Sequence, residues 1–214
     1  MDKGTLTAII HFQTPDLLEE AVRSFRKCCP HDPLLILDNG SADGSRSVVR
    51  CLAEELPGVG ARYLDENIYH GPAMDLVLQE AIHDTVFFLD SDTVTLKGGF
   101  IAPMRSEALR PETLAAGEVV TVDGRGFASR TGIPVPVSAY MMINRTAYLE
   151  LPPFVHHGLP VLQTCKEAQQ QGLRIRSWPV AEHVNHLGRG TAERFGYGLG
   201  LRSRLSFLLH KLGL

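Results

Sequence analysis

The residues best suited to chemistry are two carboxylates separated by a single residue, Asp90 and Asp92, at the end of Thr85-Val86-Phe87-Phe88-Leu89-Asp90-Ser91-Asp92. Two acids this close repel each other unless a cation lies between them, and oxygen-only ligands suit Mg2+ or Mn2+. The alternative is an ordinary Asp-rich turn, because Asp is a favoured turn residue. A third acid, Asp38, ends the apolar run Leu34 to Leu37 and precedes the glycine-bearing Asn39-Gly40-Ser41-Ala42-Asp43-Gly44-Ser45. An ionised carboxylate only accepts hydrogen bonds, so Asp38 suits the donors of a nucleobase or the hydroxyls of a ribose. As an Asx-turn residue it would instead cap the next helix. Two histidine pairs follow: His156-His157 between Pro153 and Pro160, and His183 with His186 just before a glycine-rich basic stretch. An imidazole titrates near neutrality and serves as a base or a metal ligand, though an isolated histidine also serves as a structural or surface residue.

These groups need elements to bring them together. Residues 1–95 alternate strand and helix patterns. Thr5 to His11 is apolar, Thr14 and Pro15 read as a helix N-cap and first-turn proline, and Leu18, Ala21, Val22 and Phe25 recur at helical spacing. Leu34 to Leu37 is a second strand, Val48, Val49 and Leu52 mark a helix, and Arg62 to Leu64 is a weak third strand. Gly71-Pro72 opens a helix with Ala73, Leu76, Val77 and Ala81 on one face, and Thr85 to Leu89 is the fourth strand. Such alternation with short links predicts an α/β fold, a mostly parallel central sheet covered on both sides. His11 to Thr14, Asp38 to Ser41, Asn67 to Gly71 and Asp90 to Asp92 then emerge along one sheet edge. That is where open α/β sheets bind ligands, and where helix N-termini favour a nucleotide diphosphate with its cation.

After Asp92 the rhythm loosens. Gly117 to Val122 and Ser138 to Ile143 read as strands joined by the Gly/Arg/Pro-containing stretch Asp123 to Pro136, and Gln163 to Gln171 reads as a helix stopped by Gly172 before a strand at Leu173 to Arg176. The 214 residues fit one α/β domain, and 44% hydrophobic content supports its core. A net charge of -3 predicts no nucleic-acid partner. There is no signal-peptide pattern, and no apolar run approaches a membrane span. Cys28, Cys29, Cys51 and Cys165 lack zinc-site spacing, so the expected setting is a reducing cytoplasm.

Taken in order, Thr7-Ala8-Ile9-Ile10-His11-Phe12-Gln13 with Leu17-Leu18, the Leu37 to Ser45 block, Asn67-Ile68-Tyr69-His70-Gly71-Pro72-Ala73 and Phe88-Leu89-Asp90-Ser91-Asp92 resemble the successive blocks of family 2 glycosyltransferases with the GT-A fold. The resemblance implies a Rossmann-like α/β/α sandwich, a UDP- or GDP-linked sugar donor and Mn2+ or Mg2+. By it, residues 1–95 form the donor half of one domain and residues 96–198 its acceptor half. Asp38 is similar to the acid that reads base or ribose, Asp90 would contact the ribose or a metal-bound water, and Asp92 would ligate the metal. Phe12, Thr14, Asn67, Gly71 and Ser91 fall in the same donor blocks. The late Glu182 to Thr191 region resembles the family's His–Gly segment. His186 would complete the metal shell, with His183 in reserve, and Arg189 would meet a diphosphate oxygen.

One departure concerns the acceptor side. Gln163 to Ile175 resembles the family's acceptor helix, but the positions where an acidic pair often supplies the base hold Pro160 and Val161, with Gln163 nearby. The expected activity is therefore inverting transfer with His157 or His156 as base. A retaining transfer assisted by the leaving phosphate, or a silent nucleotide-sugar-binding protein, is the alternative. A remote alternative is a haloacid-dehalogenase-type phosphatase, whose Asp-x-Asp motif Phe87 to Val94 also resembles; no later acidic block supplies its metal ligands. The acceptor is expected to be a carbohydrate, a lipid-linked sugar or a small molecule. Leu201, Leu205, Leu208 and Leu212 share a face of a basic amphipathic helix over 199–214, expected to pack on the domain or a second subunit, or to rest peripherally on the inner face of a membrane.

Overall fold

A computed structural model describes residues 3–155 and 159–188. Its first strand, β1 (Thr5–His11), is buried along nearly its whole length, as are β2 (Leu34–Asp38) and β4 (Thr85–Leu89). Their continuous apolar runs follow from a parallel sheet covered on both faces. Between them lie α1 (Pro15–Cys28), α2 (Ser45–Glu55), β3 (Val59–Tyr63) and α3 (His70–Glu80). After β4 come the short β5 (Thr93–Thr95), α4 (Ile101–Ala108), β6 (Thr113–Val122), β7 (Ile133–Asn144) and the single-turn α5 (Arg145–Tyr148). Finally α6 (Leu162–Gln170), β8 (Arg174–Ser177), a 3-10 turn at Val180–Glu182 and β9 (Val184–His186) complete the order.

Seven strands form one sheet in the order β3-β2-β1-β4-β7-β6-β8, in which only β7 runs against the rest. Side-chain alternation divides the core into two faces. Ile9, Ile36, Phe87 and Met142 meet Leu18, Phe25, Val49, Leu52 and Met104, so α1, α2 and α4 lie on one side. Ala8, Ile10, Leu37, Phe88 and Met141 meet Met74, Val77, Tyr148, Val161 and Cys165, which puts α3, α5 and α6 on the other. The expected α/β sandwich with a mostly parallel sheet is the observed fold. All four cysteines are free thiols. Among the described residues no helix is long and apolar enough to cross a membrane.

Several expectations need correction. The third strand starts three residues earlier than expected, because Val59 and Gly60 pair with Leu34 and Leu35 despite their weak apolar signal. The strand expected from Ser138 starts at Ile133 and includes Pro134 and Pro136. These prolines pair only with β6, since β4 contacts β7 from Tyr140 onward; that section has an open edge where a missing N–H costs nothing. Pro103 hid α4, and the three-residue β5 and β9 were too short to read. Thr14 does occupy the N-cap position of α1, but its hydroxyl makes no capping bond there.

β1 and β2 end in register at His11 and Asp38, both fully buried. Neither ring nitrogen of His11 has a hydrogen-bond partner among the described residues. Burial depresses its pKa from 6.5 to about 4, against the opposing pull of Asp38 and Asp43. The folded chain therefore binds that proton less readily than the unfolded chain. Its stability contribution is complete above pH 6.5 and is lost as pH falls toward 4, by up to roughly 3 kcal/mol. Urea unfolding of wild type and His11→Leu at pH 7 and pH 4 checks this: the stability of wild type relative to the variant should fall by up to that amount, and an unchanged difference would exclude the mechanism.

Candidate active site

The tip of β4 is built by backbone bonds that leave its acids side by side. The Asp90 N–H donates to the Ala139 carbonyl of β7 at 2.9 Å, and the Thr93 hydroxyl donates to the Asp90 carbonyl at 2.7 Å, closing the turn. Asp92 is buried, while the Asp90 side chain keeps 28% exposure. The chain then enters β5, which pairs antiparallel with β9 so that Thr93 faces His186. The Leu187 N–H donates to the Asp92 carbonyl at 2.9 Å and fastens the same junction. This pairing carries His186 across 94 residues of sequence to place Nε2 3.1 Å from Asp92 Oδ1. One ligand atom each from Asp90, Asp92 and His186 lie within 4.8 Å of one another, an arrangement that could hold a metal ion.

Electrostatics mark the cluster as mutually dependent. Burial pushes the Asp90 carboxyl above its ordinary range; His70 and His186 oppose this and Asp92 adds to it. The hydrogen bond to Asp92 holds the His186 imidazolium above its ordinary pKa, with burial opposing and both carboxylates assisting. His183 lies elsewhere, its ring 5.2 Å from the Trp178 ring and 5.2 Å from that of Phe100. The reserve position is thus occupied by a packing residue.

A second polar group forms at the tip of β2. Asp38 Oδ2 accepts from Arg46 Nε at 3.3 Å, and Oδ1 is buried with no partner among the described residues. The Asx turn ahead of α2 is made by Asp43, not Asp38: its Oδ1 accepts from the Ser45 N–H at 2.9 Å, and the N-cap residue is Gly44. Arg46 also donates to the Leu64 carbonyl and lies over the Tyr63 ring, so it holds Asp38 in a fixed orientation. Asn67 is a loop clamp: its Oδ1 accepts from the Tyr69 N–H at 2.8 Å and from Asn39 Nδ2 at 3.1 Å. The Thr14 and Ser91 hydroxyls approach each other at 3.5 Å, tying the head of α1 to the Asp-Ser-Asp turn. Phe12, the residue after β1, is half-buried.

Gly71 is required by close packing. A Cβ there would lie 1.7 Å from the Val155 carbonyl oxygen. His156, His157 and Arg189, and the helix expected over 199–214, lie outside the described residues. Three residues at the edge escaped the sequence reading. His70 Nε2 lies 3.7 Å from Asp90 Oδ1, Arg46 clamps Asp38, and the Tyr140 ring meets His186 edge-on at 6.4 Å. His70 and Arg46 each stand inside or just after a recognised block, a signal that was available; Tyr140 had none, since it depends on β7 pairing with β4.

The sequence model of glycosyl transferase family 2 matches residues 7–164. Among solved structures, the chain resembles a mannosyltransferase from Pyrobaculum calidifontis in complex with GDP-Man and Mn2+ (19% identity, TM-score 0.69, covering 84% of this chain and 55% of that one). It also resembles S. aureus TarS 1-349 in complex with UDP-GlcNAc (16% identity, TM-score 0.60, 82% and 56%). A third is GalNAc-T7 with UDP, GalNAc and Mn2+ (13% identity, TM-score 0.68, 82% and 42%). The chain spans about half the length of these structures, which share its fold. No curated protein matches it in sequence.

The Asp90–Asp92–His186 geometry makes a direct prediction. Saturating Mn2+ should raise Tm by about 5 °C or more, as expected for a ligand about 100-fold above its Kd. Asp92→Asn should abolish the rise, and His186→Ala should weaken Mn2+ binding roughly 10-fold by titration calorimetry. A wild-type Tm indifferent to Mn2+ would refute the prediction.

Proposed function

The chain belongs to glycosyl transferase family 2, and from that premise we propose that it moves a sugar from a UDP- or GDP-linked donor to an acceptor hydroxyl with the help of a divalent cation. The observation carrying this reading is the convergence of Asp90, Asp92 and His186 at the same sheet edge as the buried Asp38 carboxylate. Two carboxylates and one imidazole fit Mn2+ better than Mg2+, which prefers an all-oxygen shell. A cation held there would supply charge neutralisation to the departing nucleotide diphosphate.

The chain's own residues then divide the work. Asp92 and His186 would hold the ion, and Asp90, beside His70, would face the ribose or the ion's shell. Asp38 accepts hydrogen bonds from the nucleoside through Oδ1, which is buried and unpartnered among the described residues while Oδ2 is engaged by Arg46. Phe12, Thr14, Asn67, Gly71 and Ser91 are assigned to the walls of the donor site, and Arg189 to the charge of the diphosphate. The donor half covers residues 1–95 and the acceptor half 96–198 of one domain.

The proton of the attacking hydroxyl needs an acceptor. Val161 is buried, Gln163 carries no charge, and Pro160 offers none. His157 or His156 takes this role in the present reading, supported by the placement of the described residues on either side of them. The Val155 N–H donates to the Pro160 carbonyl at 3.1 Å, and the Val155 carbonyl abuts Gly71, next to His70. The missing acid also favours a second reading, retaining transfer assisted by the leaving phosphate.

Incubation with Mn2+ and a panel of UDP- and GDP-sugars tests the proposal through slow donor hydrolysis. Wild type should release free nucleotide, and Asp92→Ala should not. His157→Ala or His156→Ala should slow turnover by about 10²–10⁴-fold with nucleotide affinity retained. NMR of the released sugar reports inversion or retention at the anomeric carbon. Tight nucleotide-sugar binding without release would favour a silent binder, and phosphate release from simple phosphomonoesters would favour the phosphatase.

A further inference from the structure

The sheet face that carries α3 is left open toward its β3 edge. Leu6 of β1, Leu35 of β2 and Gly60 of β3 form the floor of a groove, Val77 and Ala81 of α3 form one wall, and Ile82 stands at the lip. Its volume is about 440 Å³. On the opposite face α2 covers β2 and β3, with Val49 and Leu52 packed among Ile36 and Val59. On the groove side α3 lies mainly against β1, α5 against β4 and α6 against β7. Two lining residues suit a covered surface better than a wet one. Ile82 is 73% exposed, the most open large apolar side chain among the described residues. Gly60 lies inside a strand without a positive φ, and a Cβ there would meet nothing closer than Leu35 Cδ1 at 3.7 Å. No packing among the described residues demands glycine there, and a glycine inside a strand often marks a place where another backbone comes close.

The chain supplies a segment that fits. Leu201, Leu205, Leu208 and Leu212 make one stripe of a helix, about 16 Å from first to last. A helix laid beside α3 at the usual spacing of about 8–10 Å comes to rest over β2 and β3, where the groove is. Reach is sufficient. The described chain ends at Gly188, and the N–H of the preceding Leu187 donates to the Asp92 carbonyl. Leu6 pairs with Val86, four residues below Asp90, and β3 is three strands from β4, so the groove lies roughly 20 Å from that point. Residues 189–200 can span roughly 40 Å, enough to pass round the β3 edge. Charge agrees as well. Residues 199–214 hold Arg202, Arg204 and Lys211 and no acid, in a chain of net charge -3, so residues 1–198 stand at -6. The exposed Asp65 and Glu66 follow β3, and Glu80 lines the groove.

We propose that this groove is the docking site of residues 199–214 of the same chain, seated as an amphipathic helix with its leucines against Leu6, Leu35 and Ile82 and its cations toward Asp65, Glu66 and Glu80. Burial of the leucine stripe drives the docking, because it removes apolar surface of both partners from water. The seated helix covers β2 and β3 on this face as α2 does on the other.

Thermal melts of the full chain test this through a double-mutant cycle, with sedimentation of the same proteins alone and with vesicles of equimolar phosphatidylcholine and phosphatidylglycerol. Ile82→Asp and Leu205→Asp should each lower Tm by about 4 °C or more. The double variant should melt within about 1 °C of the lower single one, because the second change has no contact left to remove. Val120→Asp is the control, an exposed apolar residue on β6, and its effect should simply add to that of Leu205→Asp. Wild type should stay monomeric and should not pellet with the vesicles. An Ile82→Asp melt equal to that of wild type overturns the docking, since an isoleucine open to water loses almost nothing on this change. Additive effects of Ile82→Asp and Leu205→Asp overturn it too. Wild type that pellets with vesicles while Leu205→Asp does not gives the leucines to a membrane, and a dimer that Leu205→Asp dissolves gives them to a second copy; either result overturns the proposal.

Discussion

Repulsion between two carboxylates is the constraint around which this molecule is arranged. Asp90 and Asp92 flank Ser91 where a buried strand leaves the sheet, Asp92 buried and Asp90 half-buried, so that water screens them only in part. Everything nearby answers that charge. β7 fixes the turn by accepting the Asp90 N–H, β9 brings the His186 imidazole against Asp92, and the start of α3 sets His70 near Asp90. Two imidazoles, His70 and His186, draw the Asp90 carboxyl back toward its ordinary range. β5 and β9, three residues each and outside the main sheet, add Val184 to the core, bury Thr93 and Thr95, and carry His186 to Asp92.

This also explains which parts of the structure could be read in advance. The donor half is written in local terms: apolar runs such as Leu34 to Leu37 and Thr85 to Leu89 are strands by composition, and each ends in a polar group at a predictable edge. Asp38, Asp90 and Asp92 were legible because a strand's last residue has a known position in a parallel sheet. His186 was legible only through family resemblance, since nothing local links it to a residue 94 positions earlier. The hairpin of β6 and β7 was misread because prolines usually exclude strands; here Pro134 and Pro136 occupy a stretch with one open edge. Arg46 and Tyr140 went unnoticed for a related reason. A side chain that acts by clamping or flanking another carries no signature of its own until the elements are placed.

The acceptor half differs in kind. Its helix, α6, packs through Thr164, Cys165 and Ala168 and begins at the buried Val161, so the residues at its head serve the core and carry no proton-accepting group. The loop ahead of it is tied down at its base: the Tyr148 hydroxyl accepts the Phe154 N–H at 3.0 Å and donates to Asp75 at 2.7 Å, while Val155 rests on Gly71. The described residues on either side of 156–158 are thus fixed by hydrogen bonding and close packing.

Glycine and tyrosine answer opposite demands within three residues of chain. At Gly71 the absence of a side chain lets the Val155 carbonyl approach, and packing decides the residue. At Tyr69 packing would also select glycine, yet a ring is present at a backbone cost of about 1–3 kcal/mol. Natural chains are only marginally stable, so a cost of that size is a noticeable share of the whole and is tolerated where it serves function. The strain is also confined: Asn39 and Asn67 form a short polar clamp that holds the loop whether or not the ring is there.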